Sequence, residues 1–313
     1  STLSTNTTGA NNTAVGRLAL YANTTASSNT AVGYNSLSAN TTGANNIAIG
    51  VNTLDANTTA HDNVAIGNSA MTASNSADNV AVGNLALTAL TTGAQNTAVG
   101  ALALDANTTA SNNTAVGYQA LSTNTDGGGL VAVGKSALEN STGSSNTALG
   151  FETLNANTTG THNTAVGRSA LDACTIGRYN VAMGYDALST DIDGDYSVAV
   201  GYQALVTQES DSANQAVGNT AVGALAGYGL TTGIRNTFIG HQCARNATIT
   251  GDENTGIGFQ ALFSLTSGTN NVAVGQTGGA ISTGSNNTCI NGGGAVSTGS
   301  NNTFIGYLAG DAN

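Results

Sequence analysis

Apolar side chains return at two fixed places along this chain. The first closes a short alternating run. Val15, Val32, Ile49, Ile66, Val82, Val99, Val116, Val133, Leu149, Val166, Met183 and Val200 each stand directly before a glycine. The second place falls four residues after that glycine, at Leu20, Leu37, Leu54, Met71, Leu87, Leu104, Leu121, Leu138, Leu154, Leu171, Leu188 and Leu205. A polar stretch rich in turn formers, such as Asn40-Thr41-Thr42-Gly43-Ala44, then leads to the next run. The glycines Gly16, Gly33, Gly50, Gly67, Gly83, Gly100, Gly117, Gly134, Gly150, Gly167, Gly184 and Gly201 set a period of 17 residues, which drops to 16 at Gly83 and Gly150. One unit then lengthens to 22 residues before the series resumes at Gly223, Gly240, Gly258, Gly275 and Gly306.

Seventeen residues are too few for a helical hairpin or a propeller blade. They predict an all-β, parallel β-solenoid (β-roll) of about 18 coils stacked ~4.8 Å apart, a rod on the order of 80 Å long. Each coil is expected to hold two short strands and two or three turns. Residues 1–205 read as regular coils, 206–219 as an irregular insertion, and 220–313 as coils that become less regular and shorter.

Alternation in Thr13-Ala14-Val15 puts Thr13 and Val15 on one face and Ala14 on the other. The Val15 place, apolar and mostly β-branched, is expected to be buried, with Leu20 as a second buried rung. The nearly constant Ala14 place implies either a closely packed neighbour or a coil too narrow for more. Gly16 is expected to turn the chain at positive φ. Asn12, Asn29, Asn46, Asn63, Asn96, Asn113 and Asn163 should form a column. There the amides stack as in cross-β ladders, or Asn serves only as a tolerant turn residue. Two rungs per coil gain ~3–6 kcal/mol, less than ordering 17 residues costs. Chains are therefore expected to bundle, three together, through the Ala14 face.

Composition narrows the role. Only 7% of residues are charged and Pro and Trp are absent, so the surface is Asn, Thr, Ser and Gly. A net charge of −11 with six basic residues argues against nucleic acid and anionic membranes as partners. No run of 18 apolar residues is present, so no membrane insertion is expected. Cys174, Cys243 and Cys289 lie too far apart in the chain to suggest a disulfide framework.

These units look like a known kind of protein. Asn63-Val64-Ala65-Ile66-Gly67 and Asn271-Val272-Ala273-Val274-Gly275 resemble the head motif of trimeric autotransporter adhesins, roughly Asn-Ser-Val-Ala-Ile-Gly. Asn113-Thr114-Ala115-Val116-Gly117-Tyr118-Gln119-Ala120-Leu121 is similar to repeats of bacteriophage and viral tail fibres, and of bacterial surface proteins that end in an intramolecular chaperone domain. The resemblance covers nearly the whole chain. It implies a homotrimeric fibre, extracellular and borne on a virion or a bacterial cell surface.

Candidate sites are few. Tyr34, Tyr118, Phe151, Tyr185, Tyr202 and Phe259 follow the motif glycines and would line one edge, where aromatic rows can stack on glycans. Packing on neighbours is the commoner role for such rows. Asp191, Asp193 and Asp195 look a little like the start of a calcium loop, but the spacing is wrong and a solvated acidic turn fits better. Asn23, Asn40, Asn57, Asn107 and Asn157 head Asn-x-Ser/Thr triplets, read here as turn residues rather than glycosylation acceptors. His61, His162 and His241 are too far apart to share a site within one chain. No cofactor, no metal and no catalytic group is expected.

Three functions follow in order. The first is a structural shaft that projects a receptor-binding tip. The second is a glycan-binding adhesin using the aromatic edge or the 206–219 loop. The third is an ice-binding solenoid, ranked last because the Thr13 place drifts to Ile47, Val64, Val80, Val131 and Val181.

Overall fold

The computed structural model describes residues 1–313 except 214, 247, 277–280, 292–296, 307, 308 and 310–313. Among the described residues it is an all-β parallel solenoid of about 17 turns with no helix. The chain divides into two compact units, Ser1–Glu152 and Thr153–Asn313. The first holds β1 (Thr13–Val15), β2 (Thr30–Val32), β3 (Ile47–Ile49), β4 (Val64–Ile66), β5 (Val80–Val82), β6 (Thr97–Val99), β7 (Thr114–Val116), β8 (Val131–Val133) and β9 (Thr147–Leu149). The second holds β10 (Thr164–Val166), β11 (Val181–Met183), β12 (Val198–Val200), β13 (Thr220–Val222), β14 (Thr237–Ile239), β15 (Thr255–Ile257), β16 (Val272–Val274), β17 (Thr288–Ile290) and β18 (Thr303–Ile305). Within each unit consecutive strands pair in parallel and in register, Thr13 on Thr30 and Ala14 on Ala31 in β1–β2, Val181 on Val198 in β11–β12.

Each coil carries one three-residue strand, not the two expected. The segment around Leu20 is a turn, because Leu18 and Leu20 take left-handed φ of 65° and 47° and cannot extend. Its backbone still bonds to the next coil, Leu20 N–H donating to Ser36 O at 3.1 Å and Leu37 N–H to Thr53 O at 2.9 Å. Gly16 turns the chain at φ 125°, and its counterparts behave alike.

The two faces of the strand are reversed from expectation. Ala31, Ala48, Ala65, Ala98 and Ala115 are fully buried, whereas Val15 is 58% exposed and Ile49, Val99, Leu149 and Met183 are also exposed. The reason is the coil's cross-section. Leu20, Asn23 and the Asn29 column already fill the interior beside the strand. Only a methyl group fits in the remaining space, so the narrow-coil reading of Ala14 holds. The β-branched residues keep their places because they suit strand backbone, but they point outward. Leu20 and its counterparts are buried as predicted.

The Asn12 column is real, and left-handed turning is not its reason. The positive φ belongs to the preceding residue, Asn11, Ser28 or Asn45. Each carboxamide ties its coil to the next one. Asn12 Oδ1 accepts from Asn29 N–H at 3.0 Å, and Asn12 Nδ2 donates to Ala26 O at 2.8 Å. Amide-on-amide bonds run along this column too, from Asn96 Nδ2 to Asn79 Oδ1 at 3.2 Å and from Asn271 Nδ2 to Asn254 Oδ1 at 3.0 Å, and a second column repeats the ladder. There Asn23 Nδ2 donates to Asn6 Oδ1 at 2.9 Å, Asn40 to Asn23 at 3.1 Å and Asn57 to Asn40 at 3.2 Å. Asn23, Asn40, Asn57, Asn107 and Asn157 are all fully buried, so these triplets offer no side chain for glycosylation in the folded state.

Candidate functional site

The aromatic edge forms where the residue after the turning glycine repeats from coil to coil. Tyr185 and Tyr202 stack at 5.6 Å between ring centroids, 14° from parallel. The Arg168 guanidinium lies 5.7 Å from the Tyr185 centroid. Arg17 lies over Tyr34, Lys135 over Phe151, and the His241 ring is tilted against Phe259. Tyr118 is exposed. The Tyr185–Tyr202 stack and the cations over Tyr34, Phe151 and Tyr185 each occupy a ring face with a neighbouring coil. A sugar stacks on a ring face, so this geometry favours packing along the column over glycan stacking.

A second aromatic column stands on the other side of the strands, at the left-handed place before the Asn column. His162 stacks on Tyr179 at 5.0 Å, and Tyr179 on Tyr196 at 5.2 Å, 5° from parallel. Sequence reasoning missed it, although the 17-residue spacing of these three residues was the available signal.

The three aspartates near 193 do not converge. Asp191 is buried in the second polar column, where Oδ2 accepts from Gln208 Nε2 at 2.6 Å and Oδ1 from Gly194 N–H at 3.1 Å. Burial holds its carboxyl above the ordinary carboxylate range. Asp195 bonds Arg178, through N–H at 2.7 Å and the guanidinium at 3.2 Å. Asp193 accepts from the Ser210 hydroxyl. The 206–219 insertion is likewise tied into its coil. Gln208 is buried and bridges three groups, donating to Asp191 and to Ser197 Oγ at 2.9 Å and accepting from Asn219 Nδ2 at 3.0 Å. Ser197 stands in the Asn12 column, and the longer Gln208 from the next coil fills the space that its short side chain leaves. The partial motif Gln215–Gly218 is not a strand run: Ala216 bridges Asp195, and Gly218 takes the left-handed place at φ 62°.

The cysteines are buried and free. Cys289 takes the Ala14 place, opposite Ala273 in the sheet. Burial pushes the Cys174 and Cys243 thiols up to about 12, so both stay protonated and unreactive at neutral pH.

The largest regular surface is the outward strand face. Its first file is Thr, Val or Ile in all 18 described strands, and its second is Val or Ile except at Leu149 and Met183. No charge interrupts either file. A scan against protein-family models finds no match, and neither does a search of curated proteins. The fold and this face are therefore what a functional reading has to rest on. No helix among the described residues is long and apolar enough to cross a membrane.

Proposed function

We propose that this chain is the shaft of an extracellular or virion fibre of the tail-fibre or adhesin type, assembled as a homotrimer and holding a receptor-binding tip away from its base. The observation that carries this reading is the outward face of paired β-branched files. Each strand presents roughly 50 Å² there, from three residues of ~3.3 Å and a ~4.8 Å repeat. Over the nine strands of each unit that is on the order of 450 Å², about half the ~800 Å² per partner of a standard interface. An uncharged face whose second file is apolar throughout the described strands calls for a cover. Another copy of the chain has the matching repeat, with files at the same spacing. The copies then meet through Thr13 and Val15 and their counterparts, not through Ala14. Stacked ring faces along the aromatic columns fit a shaft better than a glycan-stacking adhesin. Mass measured by light scattering in native buffer tests the assembly: three chains are expected, and a monomer at micromolar concentration would sink it.

The same face favours a second reading, ice binding. Every drift from Thr in the first file is to Val or Ile, and each keeps a γ-methyl with a restricted χ1. Thermal hysteresis from a monomeric chain would establish this reading in place of the shaft.

A further inference from the structure

Among the described residues one group of side chains brings together both imidazole and carboxylate donors. His61 and Asp62 precede β4, Asp78 precedes β5, and one ligand atom from each lies within 4.8 Å of the other two. All three residues are exposed. His61 Nδ1 stands 2.7 Å from Asp62 Oδ2, and Asp62 Oδ1 accepts from Asn45 Nδ2 at 3.0 Å. Asp62 and Asp78 hold the same left-handed place in consecutive coils, with φ of 58° and 62°. Stacking therefore sets two carboxylates one above the other, about one coil repeat apart (~4.8 Å).

The charge pattern gives an independent reason to look for a cation there. No Lys or Arg occurs anywhere from residue 18 to residue 134. Two like charges in one column repel, and His61 is the only other side chain in that stretch able to carry positive charge. A neutral imidazole instead offers a metal its nitrogen lone pair.

We infer that His61, Asp62 and Asp78 form a binding site for a divalent transition metal of the zinc class, which clips together the coils that carry β4 and β5. One nitrogen and two oxygen donors with water in the fourth position is a zinc-type set. Calcium takes six to eight oxygens, more than these residues supply. A tetrahedral ion with ligands at ~2.0–2.2 Å holds them roughly 3.4 Å apart, and exposed side chains reach that spacing by rotamer changes. A neutral imidazole with its N–H on Nε2 presents Nδ1 to the ion, so binding needs no net proton release. Because both coils must be stacked for the three ligands to meet, the ion binds the folded chain and stabilises it by mass action.

The test is a Zn²⁺ titration of the metal-stripped full chain, followed by calorimetry and by thermal unfolding. One saturable site is expected, with a Tm that climbs as Zn²⁺ is added. His61→Gln and Asp78→Asn should each weaken binding by at least ~10-fold and abolish the Tm rise, while their zinc-free Tm stays at the wild-type value. His162→Gln should change neither. Absence of saturable Zn²⁺ binding would overturn the site, as would unchanged affinity in the His61 and Asp78 variants. Ca²⁺ binding more tightly than Zn²⁺ to the same residues would overturn the metal class.

Discussion

At the residue scale, Gly117 shows why the turning place favours glycine. A Cβ placed there would sit 2.6 Å from the carbonyl carbon of Gly134 in the next coil, and φ is 142°. Gly117→Val therefore combines a clash between coils with backbone strain of about 1–3 kcal/mol. Thermal unfolding should show a clear drop in Tm, and an unchanged Tm would refute the close stacking of the glycine column. Asp191 makes the opposite case, a residue that costs stability. Its carboxyl is buried, with Asp193 and the Cys174 thiol as its titratable neighbours. A carboxyl that binds its proton more tightly folded than unfolded lowers stability as pH rises from the ordinary carboxylate range through its raised folded value. Asp191→Asn keeps the shape, restores the column's usual residue and removes that loss. The variant should be more stable than wild type near neutral pH, and the two should converge in acid. An equal stability difference at pH 4 and pH 7 would show that titration is not the cause.

Among the elements, β14 breaks the small-residue rule of the strand interior, since Phe238 fills the Ala place and is fully buried. Its volume is offset nearby. Gly227 stands where the Leu20 column would continue, and a Cβ there would lie 3.0 Å from Phe238 Cδ2. The following coil has Ala244 in the same column. Phe238→Ala should cost about 3–5 kcal/mol, because no long side chain is left to fill the cavity. Chemical denaturation measures this, and a loss below ~1 kcal/mol would mean that the coils collapse onto the gap. The exchange was legible, since Phe238 gains bulk where Gly227 and Ala244 lose it. The direction in which the strand faces was not legible. Thr-Ala-Val alternates equally well either way, and the apolar face is ordinarily the buried one. The Asn23 column was also missed. Its residues fall in what reads as a polar loop, and only the closed coil turns them inward, where they pair with each other.

For the whole molecule, the proposed assembly depends on the outward files. Val82→Lys with Val116→Lys places charge on that face without touching the buried Ala81 and Ala115. Light scattering should show the assembly falling to single chains that remain folded by circular dichroism. A trimer that survives both lysines would mean that the copies meet elsewhere. Ala115→Trp, in contrast, should unfold its coil rather than dissociate chains, because the side chain points into a space sized for a methyl group. The sequence by itself determined the period, the parallel stacking of the coils and the turning glycines. These follow from local spacing and from φ values that only certain residues accept without strain. The tertiary structure decided which strand face lies inside, which polar columns are buried and where His61, Asp62 and Asp78 meet. Each of these depends on the width of the closed coil and on what lies one coil away, and a linear pattern records neither.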